Sequence, residues 1–345
     1  MEQTTYHIGL IGCGYMGQSH LEDIYMKNHI NIYGVCDLKK ERADFTAKRY
    51  HADRTFYDAE ELVRDPKVQI IIIATYPSSH LALLKLCIQY QKHVICEKPI
   101  THTLEDGRKF VRLVKDNPKI KVLVGHILRH NDTYQMVADL IQKEVIGKPV
   151  IMRLVQNHTT KHWDKYQALI EETSPIIDCG VHYIDVMRWF TGEEVMKVTG
   201  VGAVTEPTVP PDKYNYGMLS VTLSGGSVGF YEVGWSHAIA TDNTKEFIGP
   251  KGRIKIIYQK DRETHKENGN LVQVFKYPEN ETEMINVPYA EKPTGAQLDY
   301  LIQMIEHHLP ANPDIDEVFK SFEVVCEADQ RIRENMGIDT KGTLL

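Results

Sequence analysis

The sequence predicts an α/β chain: a doubly wound parallel sheet first, then a β-rich half whose strands are joined by antiparallel turns. Three observations carry this. Short apolar runs alternate with helix-like stretches from Ile8 to Gly125. One of those runs, Ile70-Ile71-Ile72-Ile73, is apolar on both faces, as expected when helices cover both sides of a parallel sheet. Beyond Val195, strand-like segments are linked by Ser224-Gly225-Gly226 and Gly249-Pro250-Lys251-Gly252, which is turn chemistry.

Composition narrows the function classes. A length of 345 residues fits about two domains. With 42% hydrophobic and 25% charged residues, the composition is that of a globular protein with a full core. A net charge of −7 argues against a general nucleic-acid partner. No apolar run approaches the roughly 20 residues of a membrane span, so no membrane partner is expected. Met1-Glu2-Gln3-Thr4-Thr5 lacks the basic and apolar regions of a signal peptide, so a cytoplasmic location is the expectation. Six cysteines (13, 36, 87, 96, 179, 326) contain no C-x-x-C pair. They read as reduced core thiols, and no metal site is expected.

The first strand runs into Gly12-Cys13-Gly14-Tyr15-Met16-Gly17, a G-x-G-x-x-G turn ahead of a helix. Such a turn aims backbone N–H groups and the positive end of a helix dipole at a pyrophosphate. The candidate cofactor contacts are therefore Gly12, Gly14, Tyr15, Met16 and Gly17. A second strand, Ile30 to Cys36, ends at Asp37, 25 positions after Gly12. An acid at about that spacing meets the adenosine ribose hydroxyls and repels a 2′-phosphate. NAD is expected, with NADP less favoured; Lys39, Lys40 and Arg42 stand nearby as groups that reach a phosphate. The alternative task for Asp37 is a helix cap.

A helix over about Lys39 to Tyr50, a short strand at Thr55 to Tyr57 and a helix begun at Asp58 follow. The four-isoleucine strand then delivers Thr75 to His80 to the carboxyl edge of the sheet, where open α/β sheets bind ligands. Thr75 and His80 join the cofactor candidates, and Ser78 or Ser79 is expected to cap the next helix. His93 to Cys96 brings Glu97-Lys98-Pro99 to the same edge, where Glu97 and Lys98 join the cofactor candidates. A lysine there, its backbone restricted by the following proline, is a charge aimed into a cleft. The alternative is a surface Glu–Lys pair of little worth. A helix at about Leu104 to Asp116 and a strand at Lys121 to Gly125 complete the doubly wound pattern.

These motifs, together with Asp178-Cys179-Gly180-Val181-His182-Tyr183-Ile184-Asp185, resemble the glucose-fructose oxidoreductase and inositol dehydrogenase (Gfo/Idh/MocA) family. The resemblance implies a Rossmann NAD-binding domain, residues 1–125. It also implies a C-terminal α+β domain, residues 126–345, with a large, open, mostly antiparallel sheet. Further implied are nicotinamide-linked oxidation or reduction of sugars, glycosides and cyclic polyols, and a homo-oligomer, dimer or tetramer, built through that sheet. Two departures from the family pattern stand out. Tyr76 separates Thr75 from Pro77, and Arg129-His130-Asn131-Asp132 replaces an aromatic-rich segment.

In the second half, Asp132 is expected to cap a helix, and Val150 to Val155 to begin the sheet. The segment Asn157 to Tyr166 mixes hydrogen-bonding and aromatic side chains, which suits a carbohydrate with polar edges and an apolar face. A helix around Ile176 to Phe190 carries Asp178, His182 and Asp185 at i, i+4 and i+7, on one face. An ordinary salt-linked surface has the same spacing; the apolar surroundings and the family's catalytic helix favour chemistry. Lys98, Asp178 and His182 are the catalytic candidates. A histidine, with an ordinary pKa of about 6.5, accepts the hydroxyl proton, and a cationic lysine stabilises the developing alkoxide. Arg129, His158, Trp163, Asp178, His182 and Trp235 are the substrate candidates. The polar stretch Asp261 to Asn270 reads as a hairpin tip. Helices at Leu298 to His308 and Ile315 to Met336 are expected to complete the second domain. Two rival readings remain at this point: an enzyme that uses NAD transiently around an elimination, and a non-catalytic nicotinamide sensor.

Overall fold

A computed structural model of the chain describes residues 5–161, 163–262, 268–288 and 292–338. His162 and half of the polar stretch read as a hairpin tip (263–267) lie outside the described residues. The chain forms two compact units: Met1–Ile127 with Lys292–Phe319, and Leu128–Glu291 with Lys320–Leu345.

The first unit alternates β1 (Tyr6–Ile11), α1 (Tyr15–Ile24), β2 (Ile30–Cys36), α2 (Lys40–Tyr50), β3 (Arg54–Phe56), α3 (Ala59–Val63), β4 (Ile70–Ile73), α4 (Pro77–Gln89), β5 (His93–Cys96), α5 (Leu104–Asp116) and β6 (Val122–Val124). The six strands form a parallel sheet in the order β3-β2-β1-β4-β5-β6. The order reverses between β1 and β4, the switch point at which doubly wound sheets open a crevice. Local chemistry sets the helix starts. Asp58 accepts from the Glu60 and Glu61 N–H groups ahead of α3, and Thr103 from Asp106 N–H ahead of α5. The α4 start differs from the expected serine cap. Pro77 opens the helix, Tyr76 precedes it without a side-chain cap, and Ser79 Oγ turns back to donate to the Tyr76 carbonyl. A proline at the first helical position has its φ preset and no N–H to satisfy, which moves the start ahead of both serines.

The second unit contains α6 (Asp132–Gln142), β7 (Ile151–Thr159), α7 (Trp163–Glu172), α8 (Pro175–Thr191), β8 (Val195–Ala203), β9 (Tyr216–Leu223), β10 (Val228–Ser236), β11 (Lys245–Gly249), β12 (Gly252–Ile257), β13 (Asn270–Lys276) and β14 (Glu281–Val287). Its eight-stranded sheet has the order β14-β13-β12-β11-β7-β10-β9-β8. Strands β7 and β10 are parallel, and the remaining pairs are antiparallel. The cap of α6 is Asn131, not the expected Asp132; its side chain accepts from the Thr133 and Tyr134 N–H groups. Helix α8 lies on β9 and β10, with the Tyr183 ring stacked 4.8 Å from that of Tyr231.

Two helices end the chain, α9 (Thr294–His307) and α10 (Ile315–Asn335). Sequence reading assigns both to the second domain, but α9 belongs to the first unit. Its Leu298, Leu301, Ile302 and Met304 share one buried cluster with Ile8, Leu10, Leu21, Ile72 and Ile95. Asp23 of α1 anchors its start, accepting from Thr294 Oγ1 at 2.7 Å and Gly295 N–H at 3.0 Å. Periodicity marks such a helix but not the sheet it returns to. Among the described residues no helix is long and apolar enough to cross a membrane.

Candidate active site

The glycine turn has the geometry its spacing implies. Gly12 sits at φ +95°, and a Cβ there would lie 2.4 Å from the Ala74 carbonyl oxygen. At Gly17 a Cβ would lie 1.9 Å from the Gly12 carbonyl oxygen, so only glycine lets α1 start this close to β1. A Cβ at Gly14 would meet nothing within 4 Å. Gly14 precedes α1, and no side chain caps the helix. Open space over an uncapped helix start fits a pyrophosphate. Asp37 closes the turn from β2: its carboxylate accepts from Cys13 N–H at 2.9 Å and Lys39 N–H at 2.8 Å. An ionised carboxylate has about four acceptor sites, so Asp37 can serve the turn and still accept from a ribose. Arg42 stands 3.7 Å from it. Sequence reading missed Lys292, whose amino group lies 3.7 Å over the Tyr15 ring and 3.3 Å from Met16 Sδ. No local motif signals it, because its partners lie at the opposite end of the chain.

At the same carboxyl edge, β5 delivers Glu97 and Lys98, and the Lys98–Pro99 peptide is cis. The sequence reading names Glu97 and His80 as cofactor contacts, and the structure buries both. Glu97 is buried, and its Oε1 lies 2.8 Å from Nε2 of the fully buried His20 on α1. Burial pushes the Glu97 carboxyl up, but the hydrogen bond from His20 and the charges of His20, Lys98 and His80 outweigh it. The net pKa is below the ordinary carboxylate value. His80 is likewise fully buried; its ring nitrogens lie 3.1 Å from the Pro99 and Thr75 carbonyl oxygens. Burial lowers its pKa, against the pull of those carbonyls and of Glu97. Thr75 is half-buried, its hydroxyl 2.7 Å from that of Ser79. Lys98 is half-buried.

Because the Glu97 pKa falls on folding, its ionised form contributes stability above the ordinary carboxylate range. That contribution disappears as pH drops through the lowered folded value. Glu97→Gln is therefore expected to flatten the acid limb of the stability curve while lowering stability at neutral pH. Urea melts between pH 3 and 7 measure both, and an unchanged acid limb would refute the assignment.

In the second unit α8 carries Asp178 and His182 one turn apart, both half-buried. The Cys179 thiol donates to Asp178 Oδ2 at 3.4 Å. Asp185, expected on the same stripe, is buried instead. Arg129 holds it in a two-pronged pair, Nε to Oδ2 at 2.8 Å and Nη2 to Oδ1 at 2.9 Å. The Arg129 guanidinium also lies 4.9 Å over the Trp189 ring. Arg129 thus carries a structural task that the sequence reading did not expect of it. The aromatic candidates divide. Trp235 is 1% exposed and packs against Tyr166 at 5.4 Å, so it backs that ring and does not present its own face. His158, paired with Trp235 across β7 and β10, lies 6.4 Å from the same Tyr166 ring. Trp163 Nε1 donates to Thr208 Oγ1 at 2.6 Å.

One buried cation escaped the sequence reading. Lys245 of β11 is fully buried, donates to the Val155 carbonyl and Asn243 Oδ1, and lies 4.6 Å over the Tyr183 ring of α8. Burial pushes its amine well below the usual lysine value. Nothing in the pattern Lys245-Glu246-Phe247 distinguishes this lysine from one on a solvated strand face.

Comparison with known proteins identifies the family. The model of an oxidoreductase family with an NAD-binding Rossmann fold (Gfo/Idh/MocA) matches residues 6–126, and the Gfo/Idh/MocA C-terminal domain matches residues 134–255. The inositol 2-dehydrogenase of Rubrobacter xylanophilus is 26% identical over 256 residues, 72% of this chain and 70% of that one. The myo-inositol 2-dehydrogenase of Thermotoga maritima is 25% identical over 252 residues, 72% and 74% of the two chains. Among solved structures, an oxidoreductase from Agrobacterium radiobacter in complex with NAD+, L-tartaric acid and magnesium superposes with a TM-score of 0.79 at 19% identity, over 97% of this chain and 99% of that one. With both halves matched by the models of one family, the chain belongs to the Gfo/Idh/MocA oxidoreductases, nicotinamide-linked proteins built on a Rossmann domain.

Proposed function

We propose that this protein is an NAD-dependent dehydrogenase acting on a secondary alcohol of a cyclic polyol of the inositol kind, with sugars and glycosides as the neighbouring substrate class. The carrying observation is the convergence, at one sheet edge, of the open Gly14 cradle after β1 and the Lys98 turn after β5. Gly12, Gly14, the first turn of α1 and Asp37 would hold the dinucleotide. Bound there, nicotinamide supplies the hydride acceptor for alcohol oxidation.

The chain's own residues handle the proton and the charge. His182 accepts the hydroxyl proton, since an imidazole takes up and releases protons near neutral pH. Lys98 stays cationic and stabilises the alkoxide as it forms, and in the reverse direction it polarises the carbonyl. Asp178 orients the imidazole or the substrate hydroxyl. The inositol relatives support a polyol, and the half-buried Tyr166 and His158 offer a ring face and a polar edge for one. On the sheet face away from α8, the exposed Ile151, Val201, Met218 and Phe230 would seat further copies of the chain.

The deciding experiment incubates the protein with NAD and a panel of myo-inositol, aldoses and glycosides while absorbance at 340 nm is followed. Net NADH formation is the expected result. Substrate conversion without net NADH would replace this reading with transient cofactor use, and cofactor binding without any conversion would replace it with a sensor. Asp37→Ala is expected to cut the NAD-over-NADP ratio of kcat/KM by about tenfold, the scale of one charge-assisted hydrogen bond. An unchanged ratio would remove Asp37 from ribose recognition.

A further inference from the structure

The turn that carries Lys98 is held from beneath at two points. One is Glu97, buried against His20 of α1. The other is His80, which emerges from the first turn of α4 and is wholly enclosed. Its ring spans two carbonyl oxygens, Pro99 O facing Nδ1 and Thr75 O facing Nε2, each at 3.1 Å. Thr75 follows β4 and Pro99 follows β5, and these strands are neighbours in the sheet. The imidazole therefore bridges the two loops that the sheet delivers to its ligand-binding edge.

We propose that His80 is a positioning residue for Lys98, clamping the Thr75 and Pro99 turns together and so fixing the direction in which the lysine leaves the sheet. This rests on the reading of Lys98 as the cationic group of the reaction. Complete burial removes His80 from contact with cofactor or substrate, yet a histidine is a costly choice for plain packing. Burial favours the neutral ring, which carries one N–H. It therefore donates to one of the two carbonyls and packs its other edge against the second. An apolar side chain of similar size would leave the first carbonyl unanswered. A rigid ring with nitrogens on opposite sides sets the spacing of the two turns, which a flexible side chain would not. Pro99 is the residue after Lys98, so slack in this clamp passes directly to the charge. A displacement of about 1 Å at a reacting group costs on the order of 10²-fold in rate.

The test compares His80→Leu, which fills the space without a donor, with His80→Gln, which keeps an N–H donor on a flexible stem. The first readout is amide hydrogen exchange, which needs no substrate. His80→Leu is expected to speed exchange in residues 97–101 by at least about tenfold, while the β1 strand Tyr6–Ile11 keeps its protection, as for a local opening. His80→Gln should fall between His80→Leu and the unmodified protein, and it serves alone if His80→Leu does not fold. NADH binding, followed by fluorescence, should weaken less than turnover, since the Gly14 turn, α1 and Asp37 lie outside the clamp.

The second readout is turnover with NAD and myo-inositol, or with whichever alcohol of the panel is oxidised. His80→Leu should lower kcat by about 10- to 100-fold with the KM for NAD little changed. Introduced into Lys98→Ala, it should cost little more than Lys98→Ala alone, because a residue acting through another gives non-additive losses. Unchanged exchange at 97–101, or losses that multiply, would overturn the proposal. If Lys98→Ala itself turns over normally, the reading of Lys98 falls, while the exchange measurement still decides whether His80 is a clamp.

Discussion

Lys98→Ala is expected to lower kcat by at least about 10²-fold while the protein still binds NAD, the scale for removing one charge that stabilises a developing oxyanion. The lysine leaves a turn whose other members are engaged. Glu97 is turned inward to His20, and the Pro99 carbonyl faces His80. Deleting the amine removes the reacting charge and one of the charges that favour ionised Glu97, while the His20 bond to Glu97 stays. The dinucleotide is expected to bind through Gly14, α1 and Asp37, which Lys98 does not build, so its affinity should persist. His182→Ala should match the loss in kcat and should also remove the limb of the pH–rate profile that belongs to an imidazole, which Lys98→Ala should leave in place. Initial rates at 340 nm across pH 5–10, with NADH binding measured in parallel, separate the two roles. Near-normal turnover in either variant would reject that residue's assignment.

Legibility of the fold in the sequence tracks how local each determinant is. The Rossmann strands could be read because the glycine turn, Ile70 to Ile73 and His93 to Cys96 each carry their signal in a handful of consecutive residues. Strand β14 could not: four of its first residues are exposed, and Glu281-Thr282-Glu283-Met284 has neither alternation nor an apolar run. Helix α9 was legible as a helix but not by destination, because its anchor is Asp23, some 270 residues earlier. The same division holds for the site. Gly12, Gly14, Gly17 and Lys98 are set by local turn geometry and lie where spacing puts them. Glu97, His80 and Arg129 were legible only as polar residues near a ligand edge. What each does depends on partners, His20, Thr75 with Pro99, and Asp185, that no sequence spacing reveals.

Arg129 gives the sharpest contrast between a substrate contact and a support. Its guanidinium is 5% exposed, and the Asp185 carboxylate is 1% exposed. Two parallel N–H to oxygen bonds at 2.8 and 2.9 Å join a 3-10 turn at Ile127–His130 to the helix bearing Asp178 and His182. Removing one partner strands the other charge in a dry interior, a loss of about 3–5 kcal/mol. Arg129→Leu and Asp185→Leu should each reduce the folding equilibrium constant by at least about 10²-fold in urea or guanidinium melts. The double variant should be more stable than either single one, because no unpaired charge remains and apolar side chains fill the space. A substrate-binding Arg129 predicts the opposite pattern: stability close to normal in Arg129→Leu, with KM for the alcohol raised and Asp185→Leu milder than Arg129→Leu. Stability and KM measured on the same three variants decide between them. A stable Arg129→Leu would return this arginine to the substrate site.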